Sequence, residues 1–274
     1  MTGRRGSSPR AAARPKANAT RIPRNDAIDG SSGGAARDTG QRPSRVAGLD
    51  ALRGGAIVAM AIYHFCFDLR YFGVTHSDFE HDAWWLTARA VILSSFLVIA
   101  GISMVLAHRQ RSARTRWLRH VAAIGAAALL VSAGSWLMFP QTFIWFGVLH
   151  AIAVSLLLAR PLVERPRVAA IAGAAVIAAG WALHHPAFDG RALGWIGFMT
   201  HKPATEDYVP LFPWTGVLLA GIAAGHWLLR SRFAALAPLA RAPAALRWMG
   251  RHSLGLYLIH QPLLIGMLWL ALRR

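Results

Sequence analysis

Four ionisable side chains stand in one apolar stretch, RVAGLDALRGGAIVAMAIYHFCFDLRYFG, at Asp50, Arg53, His64 and Asp68. At about 100° per residue all four fall within an arc of roughly 60° on one helix face. Charged groups inside an apolar span are expensive and mark a functional path. A guanidinium fork suits phosphate oxygens, so Arg53, with Asp50 beside it, suits a phosphate-bearing donor. His64, eleven residues on and about 16 Å along the axis, is suited to general-base work or transient acyl carriage. Asp68, one turn further, is in reach to orient that imidazole. A purely structural reading also exists: Arg53 snorkels to headgroups with Asp50 as partner, and His64 hydrogen-bonds a neighbouring helix.

The elements that must position this stripe follow from hydropathy. Of 274 residues 55% are hydrophobic, nearly all of them after residue 45, which is a membrane composition. Seven apolar stretches, near 46–70, 84–107, 120–139, 143–160, 168–184, 211–229 and 252–272, approach the length needed to cross about 30 Å of hydrocarbon. The expectation is an all-α polytopic membrane protein of about seven transmembrane helices (residues 45–274) behind a basic tail (1–44). That tail is rich in Arg, Ala, Gly, Ser and Pro and poor in large apolar residues, so it is expected to be disordered and to rest on anionic lipid.

The net charge of +18 is sorted by loop, which points to topology and against nucleic acid. The tail and the adjoining Arg45 hold ten Lys/Arg, and Arg109, Arg111, Arg114, Arg116, Arg119, Arg160, Arg165, Arg167, Arg230, Arg232, Arg241, Arg247 and Arg251 join them on one side if spans alternate. The other side receives Arg70, Arg191, Lys202, Arg273 and Arg274 with most of the acids. The positive-inside rule then puts the N-terminus in the cytoplasm and the C-terminus outside. Two outer loops, 71–83 and 185–210, are long enough to contact substrate, whereas the turn at Pro140 and Gln141 makes the third and fourth helices antiparallel neighbours. Cys66 stands alone, so no disulfide or thiolate metal site is expected. His184, His185 and His201 read as loop residues, and no metal is expected.

The segment Leu49 to His64 resembles the first-helix signature of transmembrane acyltransferases: the acyltransferase-3 proteins, with ten residues between an Arg and a His, as between Arg53 and His64, and the heparan-alpha-glucosaminide N-acetyltransferase catalytic-domain family. Short bacterial members of the latter also resemble this chain at 146–150 (FGVLH), 207–214 (DYVPLFPW), 250–254 (GRHSL) and 257–262 (YLIHQP). The resemblance implies acyl transfer, typically of acetyl, from cytosolic acyl-CoA, with acetyl-CoA as co-substrate, to a glycan or amino-sugar acceptor on the far side of the lipid bilayer. For a bacterial chain that bilayer is the inner membrane. In the lysosomal member a first-loop His is the proposed catalytic residue, and His81, in His81-Asp82-Ala83-Trp84, has a similar context. That member carries Asn where His64 stands, so the resemblance leaves both His64 and His81 as catalytic candidates. His150 is expected to face the same cavity as His64.

Two other readings of the stripe remain at this level. A transporter or lipid-linked-sugar flippase would use it as a substrate path. A membrane haem protein would use two buried histidines, such as His64 and His150, as axial ligands.

Overall fold

The computed structural model describes residues 46–109 and 113–272. The expected tail at 1–44, and Arg111, Arg273 and Arg274, lie outside the described residues. Helices run in the order α1 (Ala47–Tyr71), α2 (Ala83–His108), α3 (Ala113–Met138), α4 (Val148–Ala159), α5 (Pro166–Ala182), a single turn α6 (Arg191–Gly194), α7 (Leu211–Arg230), α8 (Ala244–Arg251) and α9 (Ser253–Leu272). Among the described residues α1, α2, α3, α7 and α9 are long and apolar enough to cross a membrane, at 20 to 26 residues each. Large apolar side chains such as Leu129, Leu137, Trp181 and Leu270 are exposed on the bundle's outside, as hydrocarbon surroundings require. The protein is an all-α polytopic membrane protein.

The expectation of about seven spans resolves into these five and two shorter apolar helices, α4 and α5. The fourth stretch, expected to be helical from 143, becomes helical only at Val148. Its first residues are extended instead and pair with the loop before α7: Glu206 N–H donates to the Thr142 carbonyl at 2.8 Å, and Val209 N–H to that of Phe146 at 3.2 Å. Apolar composition does not tell a buried extended segment from a helix start, and the partner lies some sixty residues on. Asp207 then supplies the start of α4, its Oδ2 accepting from Val148 N–H at 2.8 Å, which serves an otherwise orphaned helix donor.

Close packing rests on glycine. A Cβ on Gly101 of α2 would overlap the Leu218 carbonyl oxygen and lie 2.9 Å from Gly221 Cα of α7, and one on Gly221 would lie 2.5 Å from the Val98 carbonyl. The two backbones therefore touch directly, which only small residues permit. The stretch after α7, read from sequence only as an arginine-bearing connection, contains the amphipathic helix α8, packed against α1.

In the loop before α7, Asp189 ties down Thr200, accepting from its N–H and its hydroxyl at 2.7 Å each. These two bonds favour the carboxylate and hold its pKa below the ordinary 3.8. A lowered folded value means the tie stabilises above pH 3.8 and is lost as pH falls through that lower value. Hydrogen exchange at the Thr200 amide should therefore stay slow down to the ordinary carboxylate range and accelerate below it. Asp189→Asn should weaken that protection at neutral pH.

Candidate active site

The α1 stripe divides between two sites. Near its start, Arg53 Nη2 donates to Ser103 Oγ of α2 at 2.7 Å, and Nη1 lies 3.4 Å from Asp50 Oδ1 and 3.5 Å from the Gly250 carbonyl of α8. The fork expected to meet phosphate thus joins three helices, and neither Arg53 nor Asp50 lines the cavity described next. Arg53→Ala would strip Asp50, which is 9% exposed, of this partner. It should lower stability by about 1.5–3 kcal/mol, read as a fall in the thermal unfolding midpoint. Arg53→Lys should recover less than half of that loss, because an ammonium cannot reproduce the planar fork.

Further along, a cavity of about 410 Å³ opens between α1, α2, α3, α9 and the loop at 206–209. His64 and Asp68 line it from α1, Arg89 from α2, and Tyr257, His260 and Gln261 from α9. His64 and His260 stack edge-on with ring centroids 5.0 Å apart. Asp68, 2% exposed, accepts from Gln261 Nε2 at 2.7 Å. The expected Asp68–His64 bond is not made. Both side chains point at α9, where the adjacent His260 and Gln261 each take one of them. Neither ring nitrogen of His64 has a hydrogen-bond partner among the described residues. The helix-bridging role that would make it purely structural is therefore not realised.

The mouth of the cavity is held by ionisable groups. Arg89 Nη2 donates to the Tyr208 carbonyl at 2.9 Å and lies 3.9 Å from Asp207 Oδ1. Tyr208 in turn donates its hydroxyl to the Gly194 carbonyl at 2.6 Å, and burial pushes that hydroxyl's pKa up to about 12. Sequence reasoning passed over Arg89, although it is the one Arg or Lys inside the second apolar stretch. That signal alone marked it.

His150 and His81 lie elsewhere. Gly147 N–H donates to His150 Nδ1 at 3.3 Å, so Nδ1 is the acceptor nitrogen and Nε2–H is left to donate to Ser132 Oγ at 3.2 Å. With both nitrogens engaged and the residue off the cavity wall, His150 supports the start of α4 and has no nitrogen left for an axial bond to haem iron. The side chain of His81 is 81% exposed and sits 3.0 Å from Asp78 Oδ2. The His-x-x-Trp segment there is the start of α2, with Asp82 accepting from Trp84 N–H at 2.8 Å, an ordinary N-cap.

Fold and site together define a membrane protein whose apolar helices enclose a cavity bearing a histidine with neither nitrogen hydrogen-bonded among the described residues. The model of the family described as "Heparan-alpha-glucosaminide N-acetyltransferase, catalytic" matches residues 45–262, and the chain belongs to that family, as its first-helix and later motifs implied. No curated protein and no solved structure matches it.

Proposed function

We propose that the protein transfers an acetyl group from acetyl-CoA to a sugar-like acceptor, with His64 as the general base. One observation carries this reading: the His64 imidazole stands on the cavity wall with neither nitrogen hydrogen-bonded among the described residues, in a chain of an acetyltransferase family. The acceptor amine or hydroxyl attacks the thioester carbonyl as His64 takes its proton. The new C–N or C–O bond forms, the C–S bond breaks, and the CoA sulfur leaves with the proton His64 held. Asp68 and Gln261 hold the acceptor side, while Arg89 and Asp207 fix the mouth. His81, exposed and paired with Asp78, has no part in the step. Sorting of arginines to the start of α3, the α4–α5 turn with the start of α5, and the segment from the end of α7 to α9 supports a cytosolic donor and an acceptor from the opposite face.

Purified protein in nanodiscs, given labelled acetyl-CoA and glucosamine, should release CoA and form acetylated sugar together. Sugar movement across proteoliposomes without CoA, and without any acetylated product when CoA ester is supplied, would replace this reading with transport.

A further inference from the structure

Three residues that line the cavity from α1 and α9, Asp68, His260 and Gln261, each leave a buried polar atom without a hydrogen-bond partner among the described residues, and these three atoms are of one kind. Gln261 Nε2 is spent on Asp68 Oδ1, while Gln261 Oε1 and Asp68 Oδ2 are buried with no hydrogen-bond partner among the described residues. His260 Nδ1 lies 2.5 Å from the Tyr257 carbonyl oxygen. A carbonyl only accepts, so Nδ1 carries the proton, and the buried, unpartnered Nε2 is a lone pair. Carboxylate, amide and imidazole therefore all present acceptors. Each costs about 1–3 kcal/mol if left bare, so the site suits a ligand that donates. At these three atoms phosphate, sulfate or carboxylate would set lone pairs against lone pairs, whereas hydroxyl and amine groups match.

The rest of the wall is largely apolar and continues to the outside of the bundle. Helices α3 and α9 meet along only a short stretch. Leu130 and Met138 of α3 line the cavity yet are 63% and 55% exposed. Between them, on the same face, stands Gly134, where an added Cβ would meet nothing within 4 Å. In a bundle surrounded by hydrocarbon, an apolar gap of this kind admits an acyl chain. Resting on the acetyl-transfer reading, we infer that the acceptor is a lipid-linked polyol or amino sugar. Its headgroup donates to Asp68, His260 and Gln261 beside His64, and its tail leaves between α3 and α9 into the bilayer.

Binding measured without any acyl donor tests this independently of transfer. The full chain in nanodiscs should bind tritiated dodecyl glucosaminide saturably, above the amount taken up by empty nanodiscs, and free glucosamine at least about tenfold more weakly. Asp68→Asn keeps the shape but places an N–H where the ligand must donate, and should weaken dodecyl glucosaminide binding about tenfold or more. Gly134→Leu fills the gap from α3 and should weaken the alkylated ligand while leaving free glucosamine unchanged. Equal affinity for the two ligands would overturn the inference, as would Gly134→Leu with unaltered binding of the alkylated one. Acetylation of free glucosamine with no gain from the alkyl chain would overturn it too, and would leave acetyl transfer standing.

Discussion

His64→Ala should slow acetyl transfer by about 10²–10⁴-fold, the usual worth of a positioned general base, with the loss in kcat and little change in KM. The side chain makes no hydrogen bond to the described residues, so its removal deletes chemistry and few structural ties. Its main packing partners are the rings of Tyr63 and His260, and the variant should remain folded and monodisperse. His81→Ala, which removes only an exposed contact with Asp78, should leave kcat within about threefold. If His81→Ala causes the large loss and His64→Ala does not, the chemistry belongs to the loop before α2 and the cavity assignment fails. Acetyl recovered on a His64 peptide after brief mixing with labelled acetyl-CoA would show transfer in two steps, with the imidazole attacking first. An unlabelled peptide beside full turnover fits the general-base route.

Much of this arrangement was legible because hydrocarbon is an unforgiving solvent. Long apolar runs located α1, α2, α7 and α9 closely, and α3 except for its arginine-bearing first two turns from Ala113, and four ionisable residues on one face of α1 stood out against their surroundings. The errors share a cause in partners far along the chain. Residues 143–147 are as apolar as a span, and bonds from Thr205 and Val209 far along the chain, with Ser132 and Ser135 of α3, hold them extended. His150 was placed by depth, but Gly147 and Ser132 occupy its nitrogens. Asp68 and His64 do share a face, yet one turn of α9 offers each a nearer neighbour. Arg89 and α8 were different. Both carried local signals, an isolated charge in an apolar run and an amphipathic period in AALRWMGR, and both were obscured by reading the arginines chiefly as markers of topology.

Gly101→Ala and Gly221→Ala should each destabilise the protein by about 3 kcal/mol, the upper part of the usual range for overpacking. Alanine ordinarily favours a helix over glycine by about 0.5–1 kcal/mol, so the sign depends on what the new methyl meets. Here it meets backbone: the Leu218 carbonyl and Gly221 Cα in one case, the Val98 carbonyl in the other. Neither can swing aside as a side chain would, so α2 and α7 must separate. Gly125→Ala in α3 is the matched control, because its methyl would enter open space, and it should be neutral or slightly stabilising. The double variant Gly101→Ala/Gly221→Ala should cost less than the sum of the two, since separation forced by one methyl relieves the clash of the other. Separation also moves Arg89 on α2 relative to Asp207 and Tyr208 just before α7, so activity should fall before the bundle unfolds. Unfolding midpoints for both single variants equal to that of Gly125→Ala would mean that the two backbones do not touch, and that the mouth of the cavity is held by something other than the α2–α7 crossing.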